Sequence, residues 1–112
     1  MSFDVHTYDM EERRKRVIWS PESLVDLDDI WDFYEQVAGV HTAENMLRLI
    51  HEGCELLGEF PLGGRERRDV RMGLRSISVV PFVIFYQLGH DERPEIMHVL
   101  DGRQDVDAAF ND

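Results

Sequence analysis

Five arginines fall between positions 65 and 75, at Arg65, Arg67, Arg68, Arg71 and Arg75, with only Glu66 and Asp69 between them. A sixth, Arg103, stands on a turn signal, Asp101-Gly102-Arg103-Gln104-Asp105. Guanidinium groups are planar forks that recognise carboxylates and phosphates, so a cluster of them marks either a contact surface for a partner or a solvated loop whose arginines pair with acids on the first helix. The local charge of +3 at Arg65 to Arg75 contrasts with Glu22 to Glu35, where six acids (Glu22, Asp26, Asp28, Asp29, Asp32, Glu35) give −6. Such a dipolar surface implies two different neighbours, or one partner that crosses both regions. The net charge of −11 is unfavourable for direct nucleic-acid binding, because phosphate contacts require Lys and Arg.

Other candidates for chemistry are weaker. Asp28, Asp29 and Asp32 are helical carboxylates with no second cluster to complete a cation site. His51 and Glu55 stand at i,i+4 with Cys54 beside them, but no second set of spaced ligands accompanies them. We therefore expect neither a metal nor a cofactor. His98 reads as a packed or exposed strand histidine, and Tyr86 and Trp31 as core aromatics. Arg75 reads as a strand residue bonding loop carbonyls or an acid, or else as a contact residue.

These residues belong to a chain whose 112 residues suit a single domain, and whose 43% hydrophobic content suits a globular one. Cys54 is the only cysteine, which excludes an internal disulfide and fits a reducing compartment. No run has the length and apolarity of a signal-peptide core or a membrane span. The expectation is a soluble cytoplasmic domain with no membrane partner.

Residues 1–15 are polar and aperiodic and are expected to form a flexible arm, leaving 16–112 as the domain. Val17-Ile18-Trp19 reads as a short strand. Ser20 supplies an N-cap and Pro21 a first helical position, starting a helix to about Ala38. Its inner face is predicted as Leu24, Leu27, Trp31, Tyr34 and Ala38, with Ile30 flanking. Gly39 stops it. Thr42 is expected to cap a second helix to about Glu59, buried through Met46, Leu47, Ile50, Cys54 and Leu57. Gly53 within it suggests a close approach by another element. Beyond Pro61, strand-like residues dominate from Leu74 to Leu100, with a tight reversal at Val79 to Phe82 and a looser one at Gly89 to Pro94. Phe82 to Tyr86 is apolar on both faces, as suits a strand with neighbours on either side. Asp105 to Phe110 suits one capped helical turn. The predicted class is α+β, in the order β-α-α-β-β-β, with a helical hairpin packed on a small, mainly antiparallel sheet.

Several segments, in order, resemble a known family. Ser20-Pro21-Glu22-Ser23-Leu24-Val25-Asp26-Leu27-Asp28-Asp29-Ile30-Trp31-Asp32-Phe33-Tyr34 is similar to the first helix of ParE-type toxins. Leu56-Leu57-Gly58-Glu59-Phe60-Pro61, Gly73-Leu74-Arg75-Ser76 and Val83-Ile84-Phe85-Tyr86 follow the same pattern, as does the closing Val99-Leu100-Asp101-Gly102-Arg103-Gln104-Asp105. The resemblance covers about Arg16 to Phe110 and implies the ParE/RelE superfamily of bacterial type II toxin–antitoxin modules. It implies a cognate antitoxin that wraps the toxin with a helix and a strand, docking at the sheet edge and beside the helical hairpin.

The superfamily offers two activities: ribosome-dependent messenger-RNA cleavage in RelE-like members, and inhibition of DNA gyrase by binding in ParE-like members. RNA cleavage needs a base, an acid and cations on the phosphate. Arg75 matches a family arginine, and Arg103 lies at the exit turn. That turn often reads His-Gly-x-Arg-Asp, whereas Asp101 and Gln104 stand here, Phe110 occupies the place of a terminal Tyr, and no lysine follows Lys15. The preferred reading is a non-enzymatic gyrase inhibitor with no catalytic residues. Its contact residues for target or antitoxin are Arg65, Arg67, Arg68, Arg71, Arg75 and Arg103. The alternatives are a RelE-like endonuclease and a non-toxic antitoxin-binding relic.

Overall fold

Ser20 decides where the first helix begins. The computed structural model describes residues 17–111, so the arm expected at 1–15 lies outside the described residues. Ser20 is extended, its Oγ accepts from the Ser23 N–H, and Pro21 follows at the first helical position, opening α1 (Pro21–Ala38). The same Ser20 ties the helix start to the sheet: its N–H donates to the Ile96 carbonyl at 3.1 Å and its Oγ to the Met97 carbonyl at 3.2 Å. These bonds set the helix rotation. Ser23, Leu27 and Ile30 are buried, with Tyr34 half-buried, while Leu24 is 49% exposed and Ala38 lies at the surface. The expected inner face was thus turned by about one residue, because the cap bonds swing Ser23 inward where spacing alone favoured Leu24.

Gly39 both ends α1 and begins α2 (Val40–Glu59). Its φ of 90° suits glycine, its N–H donates to Glu35, and its carbonyl accepts from Ala43. Thr42, expected as a cap, therefore lies inside the helix. The buried face of α2 carries Ala43, Ile50, Cys54 and Leu57, as well as Gly53 and Gly58. A Cβ at Gly53 would stand 2.7 Å from Val79 Cγ2, so that glycine permits the close approach of helix to sheet that its position suggested.

The sheet order is β1-β5-β4-β3-β2, with β1 (Ile18–Trp19), β2 (Arg65–Glu66), β3 (Arg75–Val79), β4 (Phe82–Leu88) and β5 (Pro94–Asp101). Only β1–β5 is parallel. The two-residue β2 lies within what was read as a loop; its pairing with Ser76 and Arg75 extends the sheet by one short strand. β4 is central, as its apolar run requires. The ladder to β5 skips Met97, since Phe85 pairs His98 and Tyr86 pairs Ile96. This bulge lets Ile96 and Val99, an odd number of residues apart, both join the core under the helices.

Both faces of the sheet are covered. Leu27, Ile30, Ile50 and Leu57 of the helical hairpin pack against Phe82, Ile84, Tyr86, Ile96 and Val99. On the opposite face Leu74, Phe85 and Leu100 pack beneath Val70 and beneath the closing α3 (Val106–Phe110), capped by Asp105. No described helix is long and apolar enough to cross a membrane.

Candidate functional site

The six arginines do not form one patch. Arg67 has a side chain only 14% exposed. Its guanidinium lies 5.1 Å from the Phe85 ring centroid, donates twice to Asp69 at 3.0 Å, and reaches Ser76 Oγ at 3.2 Å. Arg75 donates to the Gly64 carbonyl at 2.7 Å and stands 3.7 Å from Glu66. Both hold the loop onto the sheet. Arg68 pairs with Glu66 at 3.2 Å but remains 71% exposed, Arg65 is exposed on β2, and Arg71 lies over the Phe110 ring at 5.1 Å. Among the described residues no loop arginine pairs with the acidic first helix, the partner expected of a merely solvated loop; the acids that hold Arg67, Arg68 and Arg75 are Asp69 and Glu66 of the loop itself.

Tyr86 explains the tightness of this end. Its hydroxyl accepts from the Gly64 N–H and donates to the Pro61 carbonyl, both at 2.8 Å, and burial raises its pKa so that the donor proton stays in place. A Cβ at Gly64 would sit 2.6 Å from the Tyr86 ring and 2.8 Å from the Ser76 carbonyl oxygen, which leaves room only for glycine.

Arg103 lies on the helix side of the sheet, at its other end. Arg75 pairs Tyr86 while Asp101 pairs Phe82, four residues along β4, or about 13 Å. Arg103 bonds Asp101 through Nε at 3.2 Å, and its guanidinium stands 5.8 Å from the Phe33 centroid. The exit turn closes on itself. Asp101 N–H donates to Gln104 Oε1 at 2.6 Å, Arg103 N–H donates to Asp101 Oδ1 at 3.0 Å, and Gly102 N–H donates to the Pro81 carbonyl at 3.0 Å. Burial pushes the Asp101 carboxyl up, but the backbone and side-chain bonds from Arg103 outweigh it and hold the group below its ordinary 3.8. Phe110 packs edge-on against Phe85 and His98.

Beside this turn is a cleft of about 400 Å³. Ile30, Phe33, Tyr34, Phe82 and Val99 line it with apolar surface, and Asp26, Asp29, Asp101, Arg103 and Gln104 supply its polar groups. Phe33 is 44% exposed. Asp26 is not the solvated acid its neighbours suggested. Its Oδ2 accepts the Val99 N–H at 2.9 Å and lies 2.8 Å from His98 Nδ1, so one carboxylate closes the edge of β5 beyond the end of β1. Burial raises its pKa above 3.8, against the opposing pull of the Val99 and His98 bonds.

Sequence reasoning missed this cleft because α1 shows its acids as one continuous stripe, and the division between bonded Asp26 and outlying Asp29 depends on β5. Ser23 at i−3 from Asp26, with Leu27 and Ile30 following, was the available signal that Asp26 borders the inner face. His51, Cys54 and Glu55 do not converge. Cys54 is buried, its thiol pushed up to about 12 by burial, whereas Glu55 is exposed and the His51 ring packs 5.4 Å from Trp19.

Comparison with known proteins follows the same outline. A family model described as the ParE toxin of the type II toxin–antitoxin system, parDE, matches residues 17–106. Toxin ParE3 of Caulobacter vibrioides is 37% identical over 93 residues, 83% of this chain and 92% of that protein. Toxin ParE1 of Mycobacterium tuberculosis is 30% identical over 92 residues, 82% of this chain and 94% of that protein. A solved structure titled as the chromosomal ParDE TA system from P. aeruginosa shares the fold, with a TM-score of 0.67 and 22% identity, covering 76% of this chain and 92% of that one. The matched span includes both helices, all five strands and the exit turn, and the chain belongs to the ParE toxin family of type II toxin–antitoxin systems.

Proposed function

We propose that this toxin acts by binding rather than by catalysis, that DNA gyrase is its target, and that a small cognate antitoxin neutralises it. The exit turn carries this reading. In a ParE-family chain, RNA cleavage would call on this turn and the terminal residues for a proton donor and acceptor. Instead Asp101 is engaged by Arg103, Gln104 serves the Asp101 N–H, and Phe110 offers no exchangeable proton.

Arg65, Arg68, Arg71 and Arg103 are the exposed members of the predicted contact set, and Arg67 and Arg75 support it by fixing the loop. The antitoxin has a prepared edge: β2 pairs only Arg75 and Ser76, so the outer side of β3 at Ile77 to Val79 carries no strand among the described residues. Leu49 and Leu56 of α2 and Phe60 just past its end are exposed apolar residues, adjacent in spacing to Gly53, which meets Val79. An extended segment can add to such an edge and bury its alternate side chains.

The test is a supercoiling assay with purified gyrase. Inhibition that is reversed by the product of a short reading frame beside this gene is the expected result. Normal supercoiling at saturating toxin, with messenger RNA cleaved in a translating lysate, would replace this reading with the nuclease one.

A further inference from the structure

The cleft beside α1 has one charged group left over. Asp26 is engaged by Val99 and His98, and Asp101 by Arg103 and the turn N–H of that residue. Asp29 forms no hydrogen bond or ion pair with any described residue, and its charge adds to the burden on Asp26 one turn away. The floor below it is apolar, and Phe33 exposes nearly half its surface there. At about 400 Å³ the space is at the small end of ligand pockets, which run from about 300 Å³ upward, and it is half-open, with room for the side chain of a macromolecule.

Arg103 shows what such a lining accepts. Its guanidinium lies within cation–π range of Phe33 while bonded to Asp101. Asp29 and Phe33 stand at i,i+4 on α1 and line the same cleft, so a second carboxylate lies beside the same aromatic side chain. We propose that the cleft receives one arginine or lysine side chain of the antitoxin, its aliphatic stem against Phe33 and Ile30 and its charge on Asp29. This rests on the toxin–antitoxin reading above. The choice of a cation follows from complementarity: the protein carries −11, and an incoming acid would meet Asp26 and Asp29 together. The stem follows from the floor, since long basic side chains bury their methylenes on apolar surface and keep the charge at the rim.

The experiment has two arms. In the first, isotope-labelled protein is titrated with N-acetyl-arginine amide and with its neutral isostere N-acetyl-citrulline amide, reading the ring resonances of Phe33 and Tyr34. The arginine amide is expected to shift both rings and to bind about tenfold more tightly than the citrulline amide, which corresponds to about 1.4 kcal/mol. Asp29→Asn should abolish the preference, while Glu55→Gln, on the exposed side of α2, should leave it intact. Equal binding of the two amides, or a preference that survives Asp29→Asn, overturns the proposal. In the second arm the product of the adjacent short reading frame is co-purified with the full chain. Asp29→Arg should weaken the complex more than about tenfold, and exchange of one basic antitoxin residue for Asp should restore it. A complex indifferent to Asp29→Arg overturns the cleft assignment but leaves the toxin–antitoxin reading intact. Failure of the wild-type chain to bind that product removes the antitoxin as occupant, and the first arm still decides whether the cleft selects cations.

Discussion

The two ends of the sheet hold opposite charges in opposite states. At the Tyr86 end, the arginine loop looks in sequence like an interaction surface, yet Arg67 and Arg75 spend their donors on Asp69, Ser76, Glu66 and the Gly64 carbonyl. At the Phe82 end, the acidic helix looks like a solvated face, yet it borders an apolar cleft in which Asp29 is without a partner among the described residues. Charge density along a chain therefore does not report charge available to a partner. Availability depends on whether nearby backbone carbonyls, aromatic faces and counter-ions absorb the group first.

Gly64→Ala should break the loop end most severely. The new methyl would press on a fixed aromatic ring and on a backbone oxygen, neither of which yields like a flexible side chain, and overpacking of this kind costs about 1–3 kcal/mol. A loss near the upper end of that range is expected in urea denaturation. A loss under about 0.5 kcal/mol would mean that the loop is not seated on Tyr86 as described.

Arg67→Ala is next. It removes packing on Phe85 and the Arg67 donor to the Ser76 hydroxyl, so a loss of about 1–2 kcal/mol is expected. Arg68→Ala, whose ion pair is largely exposed, should stay within about 0.5 kcal/mol. The comparison is sharpened if Arg68→Ala weakens target or antitoxin binding while Arg67→Ala chiefly lowers stability. Equal stability losses would erase the distinction between a holding and a presenting arginine.

Much of this fold was legible because local signals agreed with global packing. Ser20-Pro21 marked the start of α1, Gly39 its end, Gly53 the helix–sheet approach, and the doubly apolar Phe82 to Tyr86 run the central strand. What could not be read were features decided by partners distant in sequence. The rotation of α1 depends on the bonds of Ser20 to Ile96 and Met97, and the state of Asp26 on Val99 and His98, more than seventy residues away. β2 has only two residues and no alternation to display; its existence depends on Ser76 and Arg75 being there to pair with. The family resemblance reached the right relatives through segments in order, but order alone does not say which arginines face outward.

The smallest expected effect concerns the two bonded carboxylates of the cleft, which titrate in opposite senses. The folded state raises Asp26 above 3.8, chiefly by burial, so the stability linked to this group is fully present below 3.8 and is lost as pH rises through the raised value. Asp101 is held below 3.8, so its contribution is present above that pH and is lost as pH falls through the lowered value. Asp26→Asn removes only the first titration. The stability of the native protein relative to Asp26→Asn should therefore be greatest in acid and decline as pH rises above 3.8 through the raised value. Urea denaturation across that interval measures the slope directly. A slope of the other sign would mean that the Val99 and His98 bonds outweigh burial at Asp26, making it a carboxylate held in its charged form. Asp26 would then compete with Asp29 for any cation entering the cleft, and the contrast between the engaged and the available acid would lose its basis.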